Sequence, residues 1–478
     1  MLKFEPFSIE SLQNILPYIR EGVVCSDLSA GALFMWQDGS VYFCERNGTL
    51  VVRQNRGEQP AFSYPIGKDP DGMIDELLGY VKENRLPLRF FAVDDETLEK
   101  IKSDERLTPS MWACDRRWSD YVYSFEEAKT FHGRKYDGQR NHINRFKKLY
   151  GEPDVRLLTD ADLTAVSDML SEYEAEHVFA NALERLELES TKKLLSVYSS
   201  LGLYAAGLFV DGKLAAFSIG EISGDTLFIH VEKALKRFEG AYPTMYSGFV
   251  NLIDKIAERE LLTVNREDDS GDPGIRVSKT QYHPIRKIDK YLVHVGSPAS
   301  KIRVLPEIKR NGVVLTPFRE SDKKAYLALN TDVENNRYWG YDYREDVGIT
   351  NGIDEDTFYD FTALDMRVGD SINFAVRLAS DGEMIGEVIL WNFNADGEAE
   401  LGCRIMPEYQ GRGYGKAAFR AAADFAKNDL GLKVYARCFR ENTASRKMIL
   451  ASGFEAWYDG EKYEYFKFSQ KSGGACEK

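Results

Sequence analysis

The stretch LGCRIMPEYQGRGYGKAAFR, residues 401–420, decides the fold of the C-terminal part of the chain. An apolar strand ends at Met406, and the glycine-rich run Gln410–Gly415 then opens a helix. Glycines let the backbone approach an anion closely, and the first turn of a helix carries N–H groups without intrahelical acceptors. Arg412 and Lys416 add positive charge. The stretch predicts a pyrophosphate-binding loop; the other interpretation is a glycine-rich turn that merely ends a strand.

The sequence on both sides of this loop has the pattern of an α/β unit. Phe419 and the alanines that follow it recur at i, i+3, i+4 and i+7, which predicts a helix with one buried face. Strands are expected before the loop, and a strand, a helix and two final strands after it. The predicted strands lie at 313–318, 372–378, 384–392, 398–406 and 432–438, and the later helix at 442–451.

Residues 313–470 resemble the GNAT acetyltransferases, whose acyl-CoA-binding pattern Gln/Arg-x-x-Gly-x-Gly/Ala is met by Gln410, Gly413 and Gly415. The later ENTASRKMILASGF, 441–454, is similar to the helix and strand that hold the pantetheine arm in that family. The opening VVLTPFRESD resembles the subgroup that acetylates protein N-termini and related amines. The resemblance implies acetyl-CoA as cofactor, contacted by Cys403, Ile405, Gln410, Gly411, Arg412, Gly413, Tyr414, Gly415, Lys416 and Asn442.

Acetylation of an amine needs a base for the amine proton, a polarised thioester carbonyl and an acid for the leaving thiolate. The resemblance implies that Glu400, ten residues before Gln410, is the base, with Glu387 on the neighbouring strand as the alternative. Period-2 alternation places Glu400 and Arg404 on one strand face. The other interpretation of either carboxylate is a solvated strand residue or an ion pair with Arg404.

The acid of the reaction is not identified by the resemblance. Many GNAT members carry a tyrosine acid seven residues after the motif asparagine, but Ile449 stands at that position here. Ser445 or a water molecule would have to protonate the thiolate. Cys403 has no histidine near it in sequence, so we interpret it as a buried strand thiol rather than a nucleophile.

The first 298 residues repeat the same alternation of strands and helices twice. Strands are expected at 31–36, 40–45, 48–54, 60–65, 88–93, 203–210, 213–222 and 225–232, with hairpin turns at Asp38-Gly39, Asn47-Gly48 and Asp211-Gly212. Helices are expected at 71–84, after Asp94 and around Phe249. A linker near 296–312 and a softer boundary near 125–155 divide the chain into units 1–130, 131–298 and 299–478.

Three stretches of the N-terminal part are unusually polar. GRKYDGQRNHINRFKKLY, 133–150, carries a basic helical face that suits phosphate, or else pairs with the protein's own carboxylates. HVEKA, 230–234, and NREDDSGDPGIRVSKTQYHP, 265–284, follow neighbouring strands, so their polar groups are expected to converge. The predicted cleft consists of His230, Glu232, Asn265, Asp268, Asp269, Arg276 and Lys279. The alternative is a buried ion-pair network without a cavity.

These stretches resemble an uncharacterised bacterial family related to the C-terminal, aminoacyl-transferring half of phosphatidylglycerol lysyltransferase. Relatives of that kind use two tandem GNAT-like units and take amino acids from aminoacyl-tRNA. The middle unit reads FEGAYPTMYSG, 238–248, where the acyl-CoA motif would stand, and therefore lacks a CoA cradle. The membrane-spanning half of the lysyltransferase is missing from the sequence, so the resemblance does not imply a lipid acceptor.

Composition excludes several other classes of protein. The formal net charge of −14 argues against a DNA-binding or other generally basic surface. Six scattered cysteines without a CxxC pair, and histidines without HExxH spacing, argue against disulfides and metal sites. The N-terminus MLKFEPFSIE is not a signal peptide, and no apolar run is long enough to insert into a membrane. We therefore expect a reduced, cytoplasmic, metal-free protein.

Together these patterns predict an α/β protein of three tandem GNAT-like mixed-sheet units, two degenerate N-terminal ones and one complete C-terminal one. The predicted function is acetyl-CoA-dependent N-acyl transfer to a primary amine of a small molecule or a protein N-terminus. One alternative is aminoacyl-tRNA-dependent aminoacyl transfer by the N-terminal module. Another is a non-catalytic sensor that binds CoA or tRNA.

Overall fold

The computed structural model describes residues 2–36, 40–56, 59–346 and 348–469. The predicted turn at Asp38-Gly39 and the cysteine Cys476 lie outside the described residues. Within them, helices surround three mixed β-sheets of eight, seven and eight strands. The predicted fold class, α/β with three mixed-sheet units in tandem, is confirmed.

The strands, in chain order, are β1 (Glu5–Pro6), β2 (Val41–Arg46), β3 (Thr49–Arg56), β4 (Gln59–Phe62), β5 (Ile66–Gly67), β6 (Leu88–Val93), β7 (Ser110–Cys114), β8 (Asp120–Ser124), β9 (Asp154–Leu157), β10 (Tyr204–Val210), β11 (Lys213–Ser223), β12 (Thr226–Ala234), β13 (Thr263–Asn265), β14 (Arg286–Ile288), β15 (Tyr291–Val295), β16 (Ile308–Arg310), β17 (Val313–Thr316), β18 (Ile372–Leu378), β19 (Met384–Trp391), β20 (Glu398–Ile405), β21 (Lys433–Phe439), β22 (Phe454–Asp459) and β23 (Tyr463–Phe468).

The α-helices are α1 (Leu12–Gly22), α2 (Ala30–Met35), α3 (Pro70–Glu83), α4 (Asp95–Ser103), α5 (Phe125–Thr130), α6 (Asp137–Tyr150), α7 (Leu163–Glu176), α8 (Ala182–Leu195), α9 (Ala241–Ile256), α10 (Pro273–Thr280), α11 (Lys323–Thr331), α12 (Val333–Asn336), α13 (Thr357–Val368), α14 (Tyr414–Asn428) and α15 (Thr443–Ala451). Several begin at side-chain caps: Asp69 accepts from Gly72 N–H before α3, and Asp94 accepts from Thr97 N–H before α4.

The first two sheets exchange strands. The first sheet has the order β1-β2-β3-β4-β6-β15-β7, with β5 paired to β3, and the second the order β14-β8-β13-β12-β11-β10-β9. Strand β8 thus precedes the predicted boundary at residue 130 but lies in the second sheet, whereas β15 follows that boundary and lies in the first. The sheets therefore do not divide at residue 130. The first sheet includes β15 from the part of the chain after this residue, and the second includes β8 from the part before it.

A shared hydrophobic core joins the first two sheets. Phe43 and Phe91 of the first sheet belong to the same buried cluster as Phe217 and Phe228 of the second. Each of these rings is less than 5% exposed. The exchange of β8 and β15 and the common core make residues 2–295 a single folded body rather than two separable modules.

The predicted strand at 31–36 is wrong, because α2 covers most of this segment. The side chain of Ser29 accepts a hydrogen bond from Ala32 N–H and caps the helix. Five of the six residues of α2 are buried, so the segment shows no amphipathic period. The periodicity of a short apolar run that is buried on nearly all sides cannot distinguish a helix from a strand.

The third sheet has the order β16-β17-β18-β19-β20-β21-β23-β22. Neighbouring strands run antiparallel except β20 and β21, which are parallel and are connected through α14. Phe419 and the alanines of α14 pack on this sheet, as the sequence predicts. Helix α13 packs against β7 and β15 of the first sheet, so the third unit adjoins the first.

Candidate active site

Strands β20 and β21 pair over only three residues and then separate. Glu398, Ala399 and Glu400 pair with Lys433, Val434 and Tyr435. Beyond Glu400, β20 continues beside β19, and β21 continues beside β23. The two strands therefore leave an opening between them, where main-chain groups have no partner in the sheet.

The N–H groups of Cys403 and Ile405 face this opening. Met406 N–H donates a hydrogen bond of 2.8 Å to the carbonyl oxygen of Ile385 on β19, which is an ordinary length for such a bond. Since alternate residues of an antiparallel strand direct their main-chain groups to opposite edges, Cys403 and Ile405 point toward β21. The carbonyl of Ile405 agrees with this direction, because Gln410 Nε2 donates to it over 2.8 Å.

Helix α14 begins beside the opening without a side-chain cap. Gly413 is its N-cap residue in the left-handed region, at φ 85°, and Gly411 lies at φ 74°. A Cβ atom on either glycine would meet no described heavy atom within 4 Å, so the space in front of the helix is free. The first N–H groups of α14 are thus available to an anion.

A cleft of about 1240 Å³ connects the opening with the start of α14. Its lining includes Glu400, Cys403, Ile405, Gln410, Gly411, Gly413, Gly415, Lys416, Asn442 and Ser445. The structure therefore brings together most of the residues that the sequence singles out in this unit. The predicted residues Glu387, Arg412 and Tyr414 are not among the described lining residues: Tyr414 packs on the hydrophobic core, and Arg412 lies over the ring of Tyr409.

Glu400 lies at the point of strand separation and is 3% exposed. Its Oε1 is 2.9 Å from Arg437 Nε on β21, and its Oε2 accepts a hydrogen bond of 2.8 Å from Asn392 Nδ2. Tyr435 OH donates weakly to the same oxygen over 3.4 Å. Glu400 is therefore a buried, paired carboxylate that also lines the cleft.

Glu387 and Arg404 form the second buried ion pair of this region. Arg404 Nε donates to Glu387 Oε1 over 2.9 Å, and its other nitrogens donate to Asn336 and Asn330. The guanidinium also lies 4.4 Å from the centroid of Trp339. Of the two alternatives for the carboxylates, the ion pair with Arg404 applies to Glu387 and not to Glu400.

Helix α15 supplies the other wall of the cleft. Asn442 Oδ1 accepts a hydrogen bond from Ser445 N–H over 3.0 Å and caps the helix. Ile449, which replaces the expected tyrosine, is buried in the core beside the cleft. Tyr463 on β23 also lines the cleft, and sequence reasoning missed it because it lies 21 residues after Asn442 on a different element. Burial and the charge of Glu387 raise the pKa of the Cys403 thiol to about 12, which excludes a thiolate nucleophile there.

The second sheet has a similar strand separation, but the helix start beside it is closed. Strands β12 and β13 also pair over three residues, Thr226–Phe228 with Thr263–Asn265, before they separate. Helix α9 begins there with Gly240 at φ 80°. A Cβ on Gly240 would lie 2.2 Å from the carbonyl oxygen of His142 on α6, so α6 closes the helix start. This agrees with the expectation that the middle unit has no CoA cradle.

The polar residues predicted for an N-terminal cleft lie in one network and are paired, mostly with side chains outside the predicted set. His230 is held between Glu267, at 2.7 Å, and Glu221, at 2.9 Å. Burial lowers the pKa of His230, but the two carboxylates outweigh it and raise the pKa to about 10. Glu232 pairs with the buried Arg266, which sequence reasoning missed, at 2.7 Å.

The remaining members of this set are paired as well. Asp268 accepts from Lys290 Nζ over 3.1 Å, and Asn265 donates to Asp120 over 3.0 Å. Asp269 accepts from Tyr121 OH and from two nitrogens of Arg276, at 2.6, 2.9 and 3.0 Å. Lys279 donates to the carbonyls of Arg266 and Asp268. This is the arrangement that the alternative of a buried ion-pair network predicts.

The basic stretch 133–150 is largely neutralised by carboxylates of the chain itself. Lys135 pairs with Glu127, Arg140 with Asp137, Arg145 with Glu239 and Lys147 with Glu152. In the part of the chain that the structure describes, no group of three or more potential ligands could hold a metal ion. The described helices also include none that is long and apolar enough to cross a membrane.

Comparison with known proteins matches two different families to two parts of the chain. The family model of phosphatidylglycerol lysyltransferase, C-terminal, matches residues 24–294, and that of the GNAT acetyltransferase domain matches residues 313–455. A conserved protein of unknown function from Bacteroides thetaiotaomicron has a similar structure, with a TM-score of 0.55 and 26% identity over 62% of this chain and 100% of that chain.

Two curated relatives are similar to separate parts of the chain. An uncharacterized protein of Mycoplasmoides gallisepticum is 26% identical over 247 residues, 48% of this chain and 74% of that protein. The uncharacterized N-acetyltransferase YnaD of Bacillus subtilis is 25% identical over 118 residues, 24% of this chain and 69% of that protein.

The C-terminal sheet, its strand opening and the matched domain define an acyltransferase of the GNAT class. The match over residues 24–294 covers more than half of the sequence. The chain therefore belongs to the phosphatidylglycerol lysyltransferase C-terminal family, with a GNAT acetyltransferase domain following the family's characteristic region. Both resemblances predicted from the sequence are confirmed.

Proposed function

We propose that the C-terminal unit transfers an acetyl group from acetyl-CoA to a primary amine. One observation carries this proposal: the uncapped start of α14 lies on the same cleft as the open edge of β20. The first site suits a pyrophosphate, and the second suits an extended arm that pairs with main-chain groups. In the third unit these two features occur together, whereas in the second unit α6 closes the helix start.

The residues of the cleft fit acetyl-CoA at both ends. Lys416 and Lys447 line the cleft and supply positive charge for phosphates. The N–H groups of Cys403 and Ile405 are directed where a thioester oxygen gains negative charge as the amine adds to the carbonyl carbon. A bound acetyl-CoA supplies the activated acetyl group, and the chain orients it by these main-chain contacts.

Proton transfer is assigned to side chains of the same cleft. Glu400 accepts the proton of the attacking amine, and its pair with Arg437 fixes the direction of the carboxylate. Ser445 or a water molecule returns a proton to the departing thiolate, and the hydroxyl of Tyr463 is a further candidate for this role. Glu387 is less suited, because Arg404 engages it and it is not among the described lining residues.

Acetyl transfer can be measured by the release of free CoA thiol with a panel of primary amines. We expect turnover by the wild-type chain and by Gly431→Glu, and none by Gly413→Glu. Both glycines have positive φ and free space around a Cβ, but Gly431 lies outside the cleft lining. Loss of activity in both variants, or in neither, would contradict the proposal.

Aminoacyl transfer by the N-terminal region is the second candidate, and it rests on membership of the family. The pairing of the basic stretch with carboxylates weakens the case for a tRNA-binding face, since those cations are already neutralised. Filter binding of aminoacyl-tRNA to the full chain tests this candidate separately. Binding that decreases when Lys147 and Lys148 are replaced by Glu would establish a tRNA-binding face, and transfer of the amino acid from the bound tRNA to an acceptor amine would distinguish aminoacyl transfer from a sensor that only binds tRNA.

A further inference from the structure

One face of strands β21, β22 and β23 carries six aromatic rings. Register partners on neighbouring strands project to the same face of a sheet, and so do alternate residues of one strand. The face that points away from α14 therefore carries Tyr435, Phe439, Tyr458, Tyr463 and Tyr465. Trp457, at the irregularity of β22, joins them, because its ring lies 6.4 Å from that of Tyr435. We call these six residues the aromatic face.

The rings of the aromatic face form a connected series. The ring centroids of Phe439 and Tyr463 are 4.7 Å apart, and those of Tyr463 and Tyr465 are 6.4 Å apart. Tyr458 follows at 5.6 Å from Tyr465. Trp457 is 47% exposed and Tyr458 63% exposed. Large apolar side chains that stay in contact with water at adjacent positions are typical of a surface that binds a partner.

Lysine ammonium groups lie over these rings. Lys467 Nζ is 3.8 Å from the ring centroid of Trp457, and Lys462 Nζ is 5.2 Å from that of Tyr463. In the part of the chain that the structure describes, neither lysine forms an ion pair, in contrast to the cations of the basic stretch 133–150. Their charges are therefore available to an anionic partner.

The remaining side chains of this face are polar and mostly cationic. They are Lys433, Arg437, Glu455 and Lys467. Arg437 is already paired with Glu400, so the two lysines stand against one carboxylate, and Lys462 adds a third positive charge. This part of the surface thus complements phosphates, although the whole chain has a formal net charge of −14.

Exposed rings with unpaired lysines beside them suit single-stranded nucleic acid. A base stacks on an aromatic ring, and the flexible lysine beside that ring can contact the phosphate of the same nucleotide. A protein partner suits the face less well, because lysine is depleted from the centres of protein interfaces. The face also offers no aliphatic side chain to such a partner.

The aromatic face continues into the cleft of the third unit. Phe439 and Tyr463 belong to the face and also line the cleft, together with Arg437. The hydroxyl of Tyr435 lies 3.4 Å from Glu400 Oε2. A chain of nucleotides on the face therefore passes the opening between β20 and β21. Binding there does not depend on acetyl transfer.

We propose that the aromatic face binds single-stranded nucleic acid. The bases stack on Trp457, Tyr458 and Tyr465, and Lys462 and Lys467 contact phosphates. Because stacking contributes most of the affinity, the dependence on salt is weak. Two phosphate contacts give a slope of about −1.4 for log K against log salt, so a fourfold rise in salt weakens binding about sevenfold.

Fluorescence anisotropy of the full chain with a labelled oligouridylate of about ten nucleotides tests the proposal. Trp457→Ala and Tyr458→Ala are each expected to raise Kd at least about fivefold, which corresponds to about 1 kcal/mol for one stacked base. Trp112→Ala is the matched control and should keep the wild-type Kd. Trp112 is 40% exposed with Lys102 Nζ 5.3 Å from its ring centroid, but no aromatic ring contact includes it among the described residues.

Two further oligonucleotides identify the source and the mode of binding. Oligothymidylate of the same length distinguishes DNA from RNA, and binding of either one supports the proposal. An abasic oligodeoxynucleotide should bind at least about fivefold more weakly than oligothymidylate, because it has phosphates but no bases to stack. Equal affinity for the abasic strand would show attraction by charge alone and would overturn the proposal.

Variants of the full chain exclude other positions and other occupants. Gly413→Glu changes the proposed cofactor loop and should keep the affinity for the oligonucleotide. Lost affinity in this variant would place the nucleotides in the cleft and overturn the proposal. Sedimentation that shows self-association of the wild type, abolished by Trp457→Ala, would assign the face to a second copy of the chain. Wild-type Kd in both Trp457→Ala and Tyr458→Ala, at unchanged Tm, would also contradict the proposal.

Discussion

Arg437 Nε on β21 lies 2.9 Å from Glu400 Oε1 on β20, across the two strands where their pairing ends. The ion pair spans the opening that the cofactor arm is proposed to enter. It holds the Glu400 carboxylate at the edge of the cleft, and it also joins the two strands beyond their last paired residues. The same ion pair thus connects the two strands beside the opening and fixes the position of the proposed base.

Replacement of Glu400 tests its role as base. Glu400→Gln is expected to lower kcat by roughly 10²–10⁴-fold, because the amide cannot accept the amine proton. CoA affinity should stay close to wild type, and the acidic limb of the pH–rate profile should change. Glu398→Gln is the control, since Glu398 lies on the same strand but bonds to Asn394. A loss of kcat below tenfold in Glu400→Gln would contradict this role and would assign the base to Glu387 or to a water molecule.

The His230 ion pairs make stability depend on pH. The folded-state pKa of His230 is raised to about 10, above its ordinary value of 6.5, so its stabilisation is complete below pH 6.5 and is lost as the pH rises to 10. The difference in unfolding free energy between wild type and His230→Gln should therefore shrink over this interval. Urea unfolding at several pH values measures it, with the exposed His132→Gln as control. A difference that is constant with pH would contradict the prediction.

Lys290 distinguishes a buried network from a solvent-filled cleft. Its Nζ contacts Asp27, Asp120 and Asp268 at 2.6, 2.9 and 3.1 Å, and the Asp120 side chain is fully buried. Lys290→Met should cost about 3–5 kcal/mol, because it leaves buried carboxylates without a cation. Lys287→Met should cost far less, since the buried Lys287 Nζ has no hydrogen-bond partner among the described residues. Equal effects in chemical denaturation would argue against the network.

The sequence predicted the third unit well because local signals agreed there. The glycine run, the alanine face of α14 and the Asn442 cap each specify their own element, and these elements are contiguous in the chain. The partner of Glu400 was not predictable in the same way. Arg437 lies 37 residues later, and only the pairing of β20 with β21 brings it to Glu400.

The N-terminal region was harder to interpret, since its features depend on contacts distant in sequence. The exchange of β8 and β15 leaves no local signal, because each strand pairs with strands that are distant in the sequence. The convergence of HVEKA and NREDD was predicted from topology, but the partners Glu221 and Lys290 come from other segments. Sequence alone therefore located the polar cluster without showing that its members are paired.

The most direct test of the central claim is calorimetric titration of the full chain with CoA. We expect one site per chain in the wild type and in Gly431→Glu, and no detectable binding in Gly413→Glu, whose side chain would place a carboxylate at the start of α14. Matching Tm values for the two variants would establish that both are folded. Two CoA sites in the wild type, or wild-type affinity in Gly413→Glu, would contradict the assignment of the cofactor to the C-terminal cleft.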